Sequence, residues 1–170
     1  EEFIYNQVDS IKELKEALGG SSNLKQSVAK LVEENENLKK EIEGMMKEKL
    51  HALKAELKLS IEPRNGVNII AKKVSVSNPD AIKDLAFQMK NEIENLFLVL
   101  GSVSEGKAML TVMIDEKLVE SKKLNASAII RDAAKEIQGG GGGQAFYATA
   151  GGKNPAGLEA AINKAIAVLG

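Results

Sequence analysis

Five consecutive glycines, Gly139 to Gly143, constrain this chain more than any other feature. Glycine loses more conformational freedom on folding than any other residue. An ordered structure keeps such a run only where the backbone takes positive φ or passes very close to something. The run follows a segment with helical spacing, 126–137, and a second pair, Gly151-Gly152, comes soon after it. The pattern predicts a glycine-rich loop between that helix and a short strand at Phe146–Ala150. That loop is the first candidate for a site.

A glycine-rich loop can turn several backbone N–H groups toward one anion, with a helix N-terminus adding its dipole. The named phosphate motifs do not fit. G-x-x-x-x-G-K-[ST] is absent, since Lys153 follows the second glycine pair and precedes Asn154. The Rossmann pattern needs strand, glycines, helix, whereas here the order reads helix, glycines, strand. A purely structural reading stands beside the anion cradle: the glycines let helix 126–137 pack closely on a sheet and reverse direction.

The N-terminal third reads differently. Ile4, Val8, Ile11, Leu14 and Leu18 recur at helical spacing over 3–18. Gly19-Gly20-Ser21-Ser22-Asn23 then supplies a helix stop and N-cap candidates. From there Leu24, Val28, Leu31, Asn35, Leu38, Ile42 and Met45 form a heptad seam. Asn35 stands at an otherwise apolar position, where one buried Asn commonly fixes register. The seam slips near Lys49 and resumes at Leu50, Leu53 and Leu57. A short turn between two such helices predicts an antiparallel hairpin or coiled coil over 1–60. Its second arm is about twice as long as the first. Either the first arm begins upstream, or the seam pairs with another molecule. The start, Glu1-Glu2-Phe3, has no methionine and enters the helical pattern at once, which predicts a segment of a longer chain.

Pro63-Arg64-Asn65-Gly66 marks a turn at the boundary with residues 61–170. A strand is predicted at Val67–Val76, then a helix opened by Pro79-Asp80 that carries Ile82, Leu85, Ala86, Met89 and Ile93. Leu96–Val103 and Lys107–Ile114 read as a hairpin around Ser104-Glu105-Gly106, and Pro155–Leu169 as a closing helix. Strands alternating with helices predict a small α/β globule, so the whole is an α/β (α+β) chain with a long helical arm.

Several chemistries are excluded. Without cysteine there is no disulfide, thiolate metal site or Cys nucleophile. The single histidine, His51, supports neither a Ser-His triad nor a multi-histidine metal site and reads as an exposed helix residue. No run reaches the length of a membrane span. The formal net charge is −1, so any polyanion-binding surface must be local. It concentrates at 121–153, where Lys122, Lys123, Arg131, Lys135 and Lys153 face only Asp132 and Glu136. In the arm, Lys39, Lys40, Lys47 and Lys49 interleave with Glu36, Glu41, Glu43 and Glu48, the pattern of an exposed helix face.

Gly139–Gly143, the small-residue stretch Ala148-Thr-Ala-Gly-Gly152, Lys153-Asn-Pro155 and the closing helix resemble the C-terminal, DHH-associated domain of alanyl-tRNA synthetases. The order of helical hairpin, then α/β globule, fits as well. Two departures stand out. Gln144-Ala145 follows the glycines where that family usually has Arg-Pro, and the G-G-G-H form of DHH phosphoesterases is missing.

The resemblance implies a region without a catalytic centre. Its partners would be alanine-specific tRNA at the corner where D and T loops meet, the catalytic and editing domains upstream, and a second copy through the arm. The implied location is cytoplasmic. No cofactor is implied in this region; ATP, magnesium and zinc would serve the parent enzyme elsewhere. The implied RNA-contacting residues are Gly139, Gly140, Gly141, Gly142, Gly143, Gln144, Tyr147, Gly151, Gly152 and Lys153, with Lys122, Lys123 and Arg131 added for their charge. Phe146 and Tyr147 are expected on opposite faces of a strand, one in the core and the other either stacking on a base or capping the sheet edge. Two other readings remain: an accessory module of a DHH-type phosphoesterase or nucleotide-binding protein, and a coiled-coil oligomerisation module.

Overall fold

The computed structural model describes residues 2–170, with side chains from Val8 onward. Ile4, at the head of the predicted apolar stripe, has its side chain outside that range. Two compact units emerge, Glu1–Glu48 and Lys49–Gly170.

In the first unit, α1 (Glu2–Ala17) ends in a glycine cap. Gly20 N–H donates to the Lys15 carbonyl at 2.8 Å and Gly19 N–H to Glu16 at 3.0 Å, with Gly19 at φ 69°. This pairing satisfies carbonyls that the helix end leaves open. Asn23 then caps α2 (Leu24–Leu59), its Oδ1 accepting from Gln26 N–H at 3.1 Å. Along the seam Val28, Leu31, Leu38, Ile42 and Met45 are all about half exposed, and Asn35 is exposed too.

The slip in the seam near Lys49 has a structural counterpart, for the second unit starts there. Leu50 and Leu53 are half-buried and Leu57 is fully buried. Lys54 and Lys58 on these last turns of α2 both bind the Glu92 carboxylate, and Glu56 pairs with Lys72. Glu92 belongs to α3 (Pro79–Glu92), and Lys72 to β2 (Val67–Lys73).

The second unit is a six-stranded mixed sheet in the order β1-β2-β3-β4-β6-β5. The predicted boundary turn is a hairpin turn. Asn65 and Gly66 both have positive φ and join β1 (Glu62–Arg64) to β2, a primed turn whose twist suits paired strands. β2 is parallel to β3 (Leu96–Ser104) through α3, and stops three residues short of the predicted Val76. Asn78 caps α3 by accepting from Asp80 and Ala81 N–H, and Pro79 fills a first-turn position that needs no donor. Glu105-Gly106, again both at positive φ, turns β3 into β4 (Lys107–Ile114). A short helix that the spacing did not predict, α4 (Glu116–Ser121), follows; Asp115 caps it by accepting from Lys117 N–H.

α5 (Ala126–Ala133) starts at its Asn125 cap but ends four residues before the predicted Ile137. The closing element is a 3-10 turn (Pro155–Gly157), α6 (Leu158–Ile166) and a second 3-10 turn, rather than one helix. One face of the sheet, with Val99, Leu110 and Val112, packs on Ile130, Ala133, Leu158 and Ala161 of α5 and α6. Ile82, Leu85 and Met89 of α3 are buried on the opposite side, giving three layers. Among the described residues no helix is long and apolar enough to cross a membrane.

Candidate nucleic-acid interface

The glycine run is not a loop. Gly139–Gly143 is β5, the edge strand of the sheet, antiparallel to β6 (Tyr147–Gly152). The register pairs Gly139 with Gly152, Gly141 with Ala150 and Gly143 with Ala148. The reason is steric. A Cβ on Gly139 would lie 1.9 Å from the Gly151 carbonyl oxygen, and one on Gly141 would lie 2.2 Å from that of Thr149. Neither position has the left-handed φ that a loop would require. Close backbone approach therefore explains these glycines. Gly140 differs, for a Cβ there meets nothing within 4 Å, and at Gly142 it would only touch Arg131 and Ser127.

A strand without side chains shows no alternation of apolar and polar residues, so nothing in its composition marks it as a strand. Among the described residues its outer side has no neighbouring strand, which leaves a row of backbone donors and acceptors at the sheet edge. The second pair behaves likewise. Gly152 is buried, and its Cβ position is blocked by the Ile137 carbonyl oxygen, 2.1 Å away. Gly151 is exposed.

Three candidates gather at this edge. Arg131 on α5 reaches Gly142, and Lys153 follows β6 directly at the end where Gly139 meets Gly152. Gln144 is exposed in the β5–β6 turn and its N–H donates to the Tyr147 carbonyl at 2.7 Å. Lys122 and Lys123 are exposed on the connection between α4 and α5. They approach only the turn end of the hairpin, through Ala126 N–H, which donates to the Ala145 carbonyl at 2.8 Å.

Tyr147 is placed otherwise than expected. Phe146 and Tyr147 do not take opposite faces; both pack on Phe87 of α3, with centroids 6.4 and 5.5 Å away. Phe146 precedes β6, so strand alternation does not govern it. Lys90 lies over the Phe146 ring at 5.0 Å. Tyr147 lines a cleft of about 240 Å³ beside α3, with Asp80, Lys83, Ser102 and Thr111. Burial raises its phenol pKa, and the Asp80 charge adds to that.

The charge excess survives folding. Lys135 bonds Asp132 at 2.7 Å, and Lys164 bonds Glu136 at 3.0 Å. Hydrogen bonding from Lys135 lowers the Asp132 pKa, and that to Glu136 raises Lys164. Both acids of segment 121–153 are thereby neutralised. Lys122, Lys123, Arg131 and Lys153 form no ion pair among the described residues.

Two residues escaped the sequence reading. Lys107 stands beside Lys153, one step past the Ala108–Gly152 pair, so the two cations share one end of the β4–β6 ladder. Ser127 lies one helical turn before Arg131 on α5, and that i,i+4 spacing was visible in the sequence.

Residues 66–170 match the family described as the DHHA1 domain. Over 163 residues the chain is 46% identical to an alanine–tRNA ligase of Christiangramia forsetii, covering 96% of this chain and 19% of that protein. An alanine–tRNA ligase of Bacteroides fragilis is 43% identical over 172 residues, covering 100% of this chain and again 19% of the relative. The chain thus spans about a fifth of the length of these relatives. Its fold is similar to the crystal structure of the C-Ala domain from Aquifex aeolicus alanyl-tRNA synthetase, with a TM-score of 0.58 at 24% identity over 64% of this chain and 96% of that one. With well over half of its residues inside the family match, the chain belongs to the DHHA1 domain family.

Proposed function

We propose that this chain is the tRNA-binding C-terminal region of an alanine–tRNA ligase, with no catalytic centre of its own. In this reading it holds the outer corner of alanine-specific tRNA and couples aminoacylation to editing by domains upstream. ATP, magnesium and zinc then act in those domains, in the cytoplasm.

The observation that carries the reading is 43–46% identity to alanine–tRNA ligases over 96–100% of the chain. The unpaired cations beside the β5 edge support it physically, since phosphate neutralisation supplies a large share of the affinity in such interfaces. The half-exposed apolar seam of α2 supports a second role in self-association.

Deleting this region from the parent ligase tests the proposal. The kcat/KM for tRNA should fall by about tenfold or more, on the scale of a lost binding interaction, while amino-acid activation without tRNA stays unchanged. Unaltered tRNA charging after the deletion would sink it.

A further inference from the structure

Ser127 and Arg131 project from the same side of α5, one turn apart, toward Gly142 at the sheet edge. A carbon placed where a Gly142 side chain would begin lies 3.8 and 3.9 Å from Arg131 Nη2 and Nε. It lies 4.0 Å from Ser127 Oγ. All three donors therefore lie within 4 Å of one point at the bare strand edge.

Ser127 is only 9% exposed and its hydroxyl makes no hydrogen bond among the described residues. The hydroxyl oxygen keeps some accessible surface. Arg131 has no carboxylate partner among the described residues, and the adjacent Asp132 binds Lys135 and Lys164. Glycine at 142 leaves the space open.

We propose that Arg131, Ser127 and the bare Gly142 form a seat for a single phosphate group. Its source is one phosphodiester of the bound RNA, an assignment that rests on the RNA-binding function proposed above. Arg131 supplies the charge and a two-donor fork suited to phosphate. Ser127 supplies the third donor, and Gly142 the clearance.

Filter binding of the 170-residue chain to an alanine-accepting tRNA transcript, repeated across salt concentrations, tests the seat. Arg131→Gln should weaken binding by about tenfold and reduce the slope of log affinity against log salt by about one. Ser127→Ala should weaken it by a few-fold. Gly142→Ala fits the fold at ordinary contact distances yet fills the seat, so it should match Arg131→Gln with an unchanged Tm. Wild-type affinity and salt slope in Arg131→Gln and Gly142→Ala, while the unaltered chain binds tRNA, would overturn the seat and leave the RNA reading standing.

Inorganic phosphate, followed through the Gly142 amide resonance, separates the two claims. A shift that Arg131→Gln abolishes supports the seat even if tRNA does not bind, in which case the RNA source falls. No shift and no tRNA binding overturns both.

Discussion

At Gly141 a single methyl group decides whether the edge strand can form. Its Cβ would sit 2.2 Å from the Thr149 carbonyl oxygen and 2.5 Å from the Ala150 Cα, both backbone-anchored atoms that cannot swing aside. One residue earlier, the same methyl at Gly140 meets open space. Gly141→Ala should therefore cost about 2–3 kcal/mol or more, as overpacking does, and lower Tm by roughly 10 °C. Gly140→Ala should stay within about 1 kcal/mol of the parent. Thermal unfolding of both variants gives the comparison, and equal losses would contradict the close-approach account.

The sequence already posed the choice between positive φ and close approach. It could not say which glycines were constrained, because that depends on a register partner, Ala150, in another strand. Ser127 shows the opposite case. Its spacing to Arg131 was legible, but only packing against β5 makes the pair meaningful.

At the level of elements, the helices other than α4 and the hairpins with primed turns follow from local signals. Asn78-Pro79, Asp115 and Asn125 are caps in place, and Asn65-Gly66 and Glu105-Gly106 are turns in place. Local chemistry ran out at β5, whose strand character comes entirely from pairing with β6. It also ran out at 134–138, where Gly139 N–H donates to the Ala134 carbonyl at 3.0 Å and Gln138 takes φ 51°. That turn ends α5 early so that the chain can enter the sheet.

The heptad slip near Lys49 was visible, but its purpose was not. It turns Leu57 into the core and brings Lys54 and Lys58 onto Glu92. Hydrogen bonds from Lys54, then Lys58, hold the Glu92 carboxyl below its ordinary pKa. A carboxylate lowered by folding stabilises the protein above its unfolded pKa, about 4.3, and that contribution is lost as pH falls through the lowered value. Glu92→Gln should then lower Tm at pH 7 and make progressively less difference as the pH falls below the ordinary carboxylate range. A Tm gap that persists undiminished in acid would show that the clasp between α2 and α3 does not depend on charge.

On the scale of the whole molecule, two surfaces remain open: the basic β5 edge and the apolar seam of the arm. Val28, Leu31, Leu38, Ile42 and Met45 lie 49–61% exposed on one helix, more apolar surface than a solvated arm needs. Self-association through this seam predicts a concentration-dependent dimer in sedimentation. Leu38→Glu with Ile42→Glu should abolish it, and Asn35→Leu should change register or oligomer state. A monomer at high concentration in the unaltered chain and in Asn35→Leu rules the seam out as a dimer contact.

The basic edge carries the central claim, since the formal net charge of −1 gives no general attraction for polyanions. Affinity of the 170-residue chain for an alanine-accepting tRNA transcript, measured against salt, tests it most directly. Binding at micromolar concentration or tighter, with a log–log salt slope of about −2 to −4 for the few unpaired cations, is the expected result. No binding at micromolar protein in low salt, or binding with no dependence on salt, contradicts it.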